Sequence, residues 1–185
     1  MLISGDALPT LVGKGLCLRW PTLADADDLF ALFGDPEVML YWSRSPMTDR
    51  SEAVDLVRSI HDLFRQQSLF QWAIEETCSG RVVGTTTLAS VDAANRRAEI
   101  GFALARDRWG QGLADEAVRL ALGFAFSDLD LMRIEADVDP RNARSLARLE
   151  RLGFEREGLL RERWRVGGGA QDSVMLGLLR REWSP

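Results

Sequence analysis

Residues 97–117 read RAEIGFALARDRWGQGLADEA, and how this stretch folds decides the architecture of the chain. Its first part alternates. Ala98, Ile100 and Phe102 share one face while Glu99, Gly101 and Ala103 share the other, the period of a strand with one buried side. The alternation stops at Trp109. Gly110-Gln111-Gly112 follows, and the residues from about 115 to 126 take helical spacing. A strand that passes through paired glycines into a helix gathers several backbone N–H groups into one concavity, and the helix adds the positive end of its dipole. Small residues at 110, 112 and 114 let a ligand come close to the backbone. Such a turn suits a phosphate or pyrophosphate, although tight packing alone also explains a glycine pair before a helix. Two common phosphate loops are excluded. Nothing after Gly112 supplies the Lys and Ser/Thr of a G-x-x-x-x-G-K-[ST] loop, and no G-x-G-x-x-G opens an early βαβ unit.

Upstream, Phe70, Trp72 and Ile74 alternate with polar or small neighbours. Residues 82–91 form another alternating run, with turns at Ser79-Gly80 and over 92–95. Together with 97–105 these runs predict an antiparallel meander. Earlier still, 16–20 reads as a strand and Thr22 as a helix cap ahead of Leu29, Leu32 and Phe33, with a stop at Gly34-Asp35-Pro36. An aromatic loop over 37–46 leads to a helix that starts at Asp49 or Ser51 and carries Ala53, Leu56, Val57, Ile60 and Phe64. Residues before Gly15 read as irregular. Downstream come a strand over 132–138, a helix over 142–152 ended by Gly153, and a hairpin of 154–165 and 172–180 around Gly167-Gly168-Gly169. The order β-α-α-β-β-β-α-β-α-β-β is α+β, and no linker or repeat divides residues 1–185, which predicts one domain.

The composition is that of an ordinary globular protein, with 46% apolar and 28% charged residues. A net charge of −5 argues against nucleic acid as a partner. Cys17 and Cys78 match neither a metal-ligand nor a nucleophile spacing, so no metal is expected. No apolar run approaches the roughly 20 residues of a membrane span and no leader pattern is visible, which predicts a cytoplasmic protein without a membrane partner.

Residues 97–117 are similar to the cofactor-binding core of the GNAT superfamily of N-acetyltransferases, most of all to the branch that acetylates the N-terminal alanine of ribosomal proteins. Residues 139–154, DPRNARSLARLERLGF, resemble the second motif of that branch. Arg19, Asp35-Pro36, Gly169-Ala170-Gln171-Asp172 and Arg181-Glu182-Trp183 agree with it as well, so the resemblance spans nearly the whole chain. It implies a mixed, mostly antiparallel, splayed sheet of about seven strands flanked by about four helices. It also implies acetyl-CoA as co-substrate, its pyrophosphate held at Trp109, Gly110, Gln111, Gly112, Leu113, Ala114 and Asp115. The pantetheine arm would pair with the backbone of Phe102, Ala103 and Leu104, where the sheet parts between the last meander strand and the strand at Met132. The N–H groups of those residues would also serve as oxyanion donors.

Attack of an amine on a thioester needs a proton acceptor, because an ammonium is not a nucleophile. Glu99 is the candidate base, on the face opposite Ala98 and Ile100. A solvated strand glutamate, or one paired with Arg97, is the alternative. Asn142 caps its helix and, by resemblance, also bonds the pantetheine amide. Ser145 lies in the first turn, and the resemblance makes it a donor to the leaving sulfur. Many relatives carry a tyrosine acid where this chain has Leu149. Arg106, Arg108 and Arg144 are candidates for the 3′-phosphate of CoA, or ordinary surface arginines. His61, mid-helix, carries little functional signal. Tyr41, Trp42 and Arg44 are expected to line the acceptor site. The acceptor is a primary amine, either a protein N-terminus or a small molecule, and homodimers are common among relatives. Two other readings stay open: an acyl-CoA-binding sensor or structural module without turnover, and a loop that holds ATP or NAD.

Overall fold

A computed structural model describes Ile3 and residues 5–184. The strands are β1 (Leu11–Val12), β2 (Leu16–Arg19), β3 (Phe70–Glu76), β4 (Val82–Asp92), β5 (Arg97–Leu104), β6 (Arg133–Val138), β7 (Glu155–Val166) and β8 (Gly169–Leu179). The helices are α1 (Ala26–Gly34), α2 (Pro36–Met39), α3 (Arg50–Arg65), α4 (Leu113–Ser127) and α5 (Ala143–Arg151). The strands form one eight-stranded sheet in the order β1-β2-β3-β4-β5-β6-β8-β7. Every neighbouring pair is antiparallel except β5 and β6.

The expected α+β order holds, with two additions to the seven strands and four helices. β1 pairs Leu11 with Leu18 and Val12 with Cys17 at the sheet edge, too short to show alternation. α2 forms because Asp35 Oδ1 accepts from the Glu37 N–H at 2.8 Å while Pro36 occupies the first helical position. The Gly34-Asp35-Pro36 stop is therefore also a start. α1 begins one turn later than Thr22 suggests. Thr22 caps a 3-10 turn over Leu23–Asp25, and Asp25 accepts from the Thr22 N–H at 2.7 Å and from Arg19 at 2.7 and 2.9 Å. α3 carries the clearest start: Asp49 accepts from the Ser51 N–H, and Glu52 reaches back to the Asp49 N–H at 3.0 Å.

The two sheet faces are covered differently. Phe70, Trp72 and Ile74 of β3, with Ala98 and Ile100 of β5, pack against Ala117, Val118, Ala121 and Leu122 of α4. The alanines let that helix lie close, and Trp72 meets Phe124 edge-on at 5.3 Å. On the other face Ala73 and Ala103 join Leu29, Phe33, Ala53 and Val57 from α1 and α3. His61 belongs to this framework: it stacks on Trp20 at 4.7 Å and its Nε2 lies 2.9 Å from the Pro21 carbonyl.

β4 and β5 are locked together at Gly84, which opposes Leu104. A Cβ there would stand 2.3 Å from the Ala103 carbonyl oxygen and 3.1 Å from both Ile74 Cδ1 and Leu104 Cδ1. Gly84→Ala is expected to lower stability by about 1–3 kcal/mol through forced backbone movement. Urea denaturation reads this as a lower midpoint with an unchanged slope.

Candidate active site

The sheet parts where the resemblance places the cofactor. β5 and β6 pair only over Arg97–Glu99 with Arg133–Glu135; beyond that, β5 stays on β4 as far as Leu104 while β6 follows β8. The far half of β5 therefore has one hydrogen-bonded neighbour and one open side. Trp109 fixes its end, since the indole N–H donates to the Leu104 carbonyl at 2.7 Å. The Trp109 ring also carries the Arg144 guanidinium at 4.3 Å from its centre.

After Trp109 the chain enters the glycine turn. Gly110 and Gly112 have φ of 80° and 82°, the left-handed region, and no atom lies within 4 Å of where a Cβ would stand on either. Gly112 is the N-cap of α4. Among the described residues, no backbone N–H from 110 to 115 donates to another group of the chain. Gln111 turns its side-chain amide onto the Asp107 carbonyl at 3.0 Å. Asp115 sits in the first turn, where its charge would oppose an anion. It is instead engaged by Arg148 and, at 3.5 Å, by Arg151. An open, N–H-lined cradle whose two first-turn acids are both engaged, Asp115 by arginines and Glu116 by the Lys14 and Gly15 N–H groups, fits a pyrophosphate.

Two cavities lie along the open side of β5, and the larger reaches this turn. The larger, about 400 Å³, includes Phe102, Ala103, Leu104, Trp109, Ala114, Arg141, Arg144 and Arg148 in its wall. The smaller, about 170 Å³, includes Glu99, Asp137, Asp139, Trp164, Asp172 and Ser173. They share Tyr41, Trp42, Phe102, Asn142 and Ser145. The groove is thus basic at the cradle end and acidic at the other, and Asn142 and Ser145 stand at the junction. Asn142 caps α5, its Oδ1 accepting from the Ser145 N–H at 3.1 Å. Leu149, buried in the acidic cavity wall, offers no proton there.

Glu99 lies half-buried in the acidic cavity and makes no side-chain hydrogen bond or ion pair among the described residues. Arg97, its sequence-level alternative partner, is taken by Glu135 at 2.8 Å and Asp92 at 3.6 Å. Burial, followed by the charge of Asp137, pushes the Glu99 carboxyl above its ordinary value; Arg163 opposes the rise and Glu135 adds to it. Asp137 accepts from Trp164 Nε1 at 3.2 Å and from Arg163 Nε at 3.4 Å. Asp139 is gripped by Arg141 through both carboxylate oxygens.

Three candidates lie elsewhere. Arg44 is absent from both cavity walls; its guanidinium sits 4.7 Å above the Phe33 ring. Arg108 is committed to Glu76 at 2.8 Å and to Asp107 at 2.7 Å. Arg106 is exposed and outside both cavities. Arg148, unremarked in the sequence, lines the basic cavity beside Arg144. The acids Asp137, Asp139 and Asp172 were also missed. Glu135, Asp137 and Asp139 recur at every second position opposite buried Ile134, Ala136 and Val138, a signal that was available. The described residues hold no group of three or more metal-ligating side chains.

Comparison with known proteins agrees with the fold. Residues 15–155 match the family model described as an acetyltransferase (GNAT) domain. The chain is 40% identical over 177 residues to an uncharacterised N-acetyltransferase, p20, of Bacillus licheniformis, covering 96% of this chain and 99% of that one. It is 28% identical over 127 residues to the [ribosomal protein uS5]-alanine N-acetyltransferase of Escherichia coli (strain K12), covering 68% and 66%. The crystal structure of spermidine N-acetyltransferase from Vibrio cholerae in complex with CoA and spermine superposes with a TM-score of 0.81 at 24% identity, over 92% of this chain and 98% of that one, a likeness of fold. The chain belongs to the GNAT acetyltransferases.

Proposed function

We propose that this acetyl-CoA-dependent N-acetyltransferase acylates a primary amine by direct attack, with Glu99 as the base. The observation that carries the reading is the opposite charge of the two cavities that meet at Asn142 and Ser145. Three arginines suit a polyanionic CoA, and the carboxylates suit an acceptor that arrives as an ammonium. Bound acetyl-CoA supplies the thioester. The amides of 110–115 hold the pyrophosphate, and the open side of β5 receives the pantetheine arm. Glu99 takes a proton from the ammonium and so frees the lone pair that attacks. A carbon–nitrogen bond forms and the carbon–sulfur bond breaks. The nitrogen, cationic once the bond has formed, gives up its second proton through the Ser145 hydroxyl at the shared wall to the departing sulfur, so that CoA leaves as the thiol and the hydroxyl is restored, while backbone N–H groups of Phe102–Leu104 face the developing oxyanion. Neither cysteine takes part: Cys78 is exposed and Cys17 lies on β2, and neither lines the groove.

Calorimetric titration with acetyl-CoA, with ATP and NAD as controls, tests the cradle. Saturable binding of acetyl-CoA alone is expected. Binding of ATP or NAD in its place would remove the cofactor assignment. CoA release with a panel of amines then tests catalysis, and tight binding without release for any amine would make the chain a sensor instead.

A further inference from the structure

β7 closes one edge of the sheet: β8 pairs with one side of it, and no strand among the described residues pairs with the other. It is also bare. Every residue from Glu155 to Arg165 is exposed, with Leu159 54% and Leu160 40% accessible at its middle. An edge strand of 12 residues with apolar side chains at its centre is a template for another strand. Charges and bulges usually defend such an edge, and β7 has both. Its register on β8 shifts between Arg156 and Gly158 and again between Leu160 and Trp164, and Glu162 has φ 51°. The order of the charges, however, invites pairing.

Residues 155–163 read EREGLLRER. Laid antiparallel on itself about Leu159, this stretch sets Glu155 against Arg163, Arg156 against Glu162 and Glu157 against Arg161. Every charge meets its opposite, and a two-fold axis repeats each pair. A slip of one residue in one direction opposes Glu155 to Glu162 and Arg156 to Arg161. A slip in the other direction opposes Arg156 to Arg163 and Glu157 to Glu162. Charges of one sign would keep two copies of this edge apart, whereas these select a single register. We infer that β7 is the docking edge for a second copy of this chain, which adds its own β7 antiparallel, Leu159 facing Leu159, and joins the two sheets into one. The charges are available for it. Glu155 and Arg161 have no ion-pair partner among the described residues. Arg156 with Glu150 and Arg165 with Glu162 are exposed pairs, which hold little energy. Glu157 is engaged by Arg133, and Arg163 by Asp137 at 3.4 Å, but a carboxylate and a guanidinium each have capacity for a second partner. The same edge borders the acidic cavity, since Trp164 lines it and Arg163 reaches Asp137. The pairing does not depend on which amine that cavity accepts.

Sedimentation velocity of the full chain at micromolar concentration tests the pairing. The wild type should sediment as two chains, and rising salt should shift it toward one. Arg156→Glu and Glu162→Arg each turn attractive pairs into repulsive ones, and each should raise the dimer dissociation constant by at least about tenfold. Both side chains are exposed, so the far-UV spectrum of each variant should match the wild type. Mixed in equal amounts, the two variants should form a dimer again, because each altered residue then meets the opposite charge on the other chain. A wild type that sediments as one chain would overturn the inference. So would a dimer that survives both single substitutions, since it must use another surface, and so would a mixture no more associated than its parts. Should a charge variant fail to fold, Leu159→Arg still decides. It sets two cations face to face at the two-fold axis and should sediment as one chain, and a dimer as tight as the wild type would count against the pairing.

Discussion

Glu99→Gln is expected to lower kcat by about 10²–10⁴-fold, the usual contribution of a positioned general base, with acetyl-CoA affinity within about twofold of wild type. The separation follows from place. Glu99 lies in the acidic cavity and is absent from the basic one. The pH profile adds a second signature. Burial and the negative charges of Asp137 and Glu135 hold the Glu99 carboxyl above its ordinary value, with Arg163 of β7 pulling the other way. A base works only when deprotonated, so kcat/KM should rise with pH through this raised value, and the limb should vanish in Glu99→Gln. Stability moves oppositely. The folded chain binds the Glu99 proton more tightly than the unfolded chain does. Stability is therefore lost as pH climbs from the unfolded value through the folded one, and neutral Gln removes that penalty above both. Thermal melts at neutral pH should show Glu99→Gln at or above wild type. A variant equally active, or one that loses stability along with activity, would mark Glu99 as structural.

Gly112→Val should weaken acetyl-CoA binding by at least about a hundredfold, since it displaces two or more charge-assisted N–H contacts worth about 1.5–3 kcal/mol each. Gly112 sits at φ 82°, ψ −11° as the N-cap of α4. A β-branched residue is a steric outlier at positive φ. The turn must shift, and its amides with it. No atom lies within 4 Å of the new Cβ, so the core is untouched and the cost to folding stays at about 1–2 kcal/mol of local strain. Calorimetry and far-UV melts separate the outcomes. Unchanged affinity would show that the cradle holds nothing.

The shape of the cradle is readable from the sequence because it is local. Alternation over Ala98, Ile100 and Phe102 gives way to Gly110 and Gly112 within a few residues, and a strand, a turn and a helix start follow from that succession alone. The cap at Asn142 is local too. The acidic cavity is not. Glu99, Asp137, Asp172 and Ser173 sit on β5, β6 and β8, which become neighbours only through the crossover of α4 and the return of the closing hairpin. The sequence shows each acid as a solvated strand residue, and only the sheet order reveals the shared wall. Arg44 erred in the reverse direction: it is adjacent in sequence to Tyr41 and Trp42, yet its guanidinium folds back onto Phe33. The short elements β1 and α2 escaped because two to four residues carry no periodicity.

The parting of β5 from β6 sets a sequence in time. The acidic cavity shares Tyr41, Trp42, Phe102, Asn142 and Ser145 with the basic one, so on the proposed reading a donor laid along β5 would form part of the wall that the amine meets. An amine that arrives first meets a doorway rather than a room. Turnover is then expected to follow a compulsory order, donor on first and free CoA off last, which product inhibition by CoA, competitive with the donor rather than with the amine, would check.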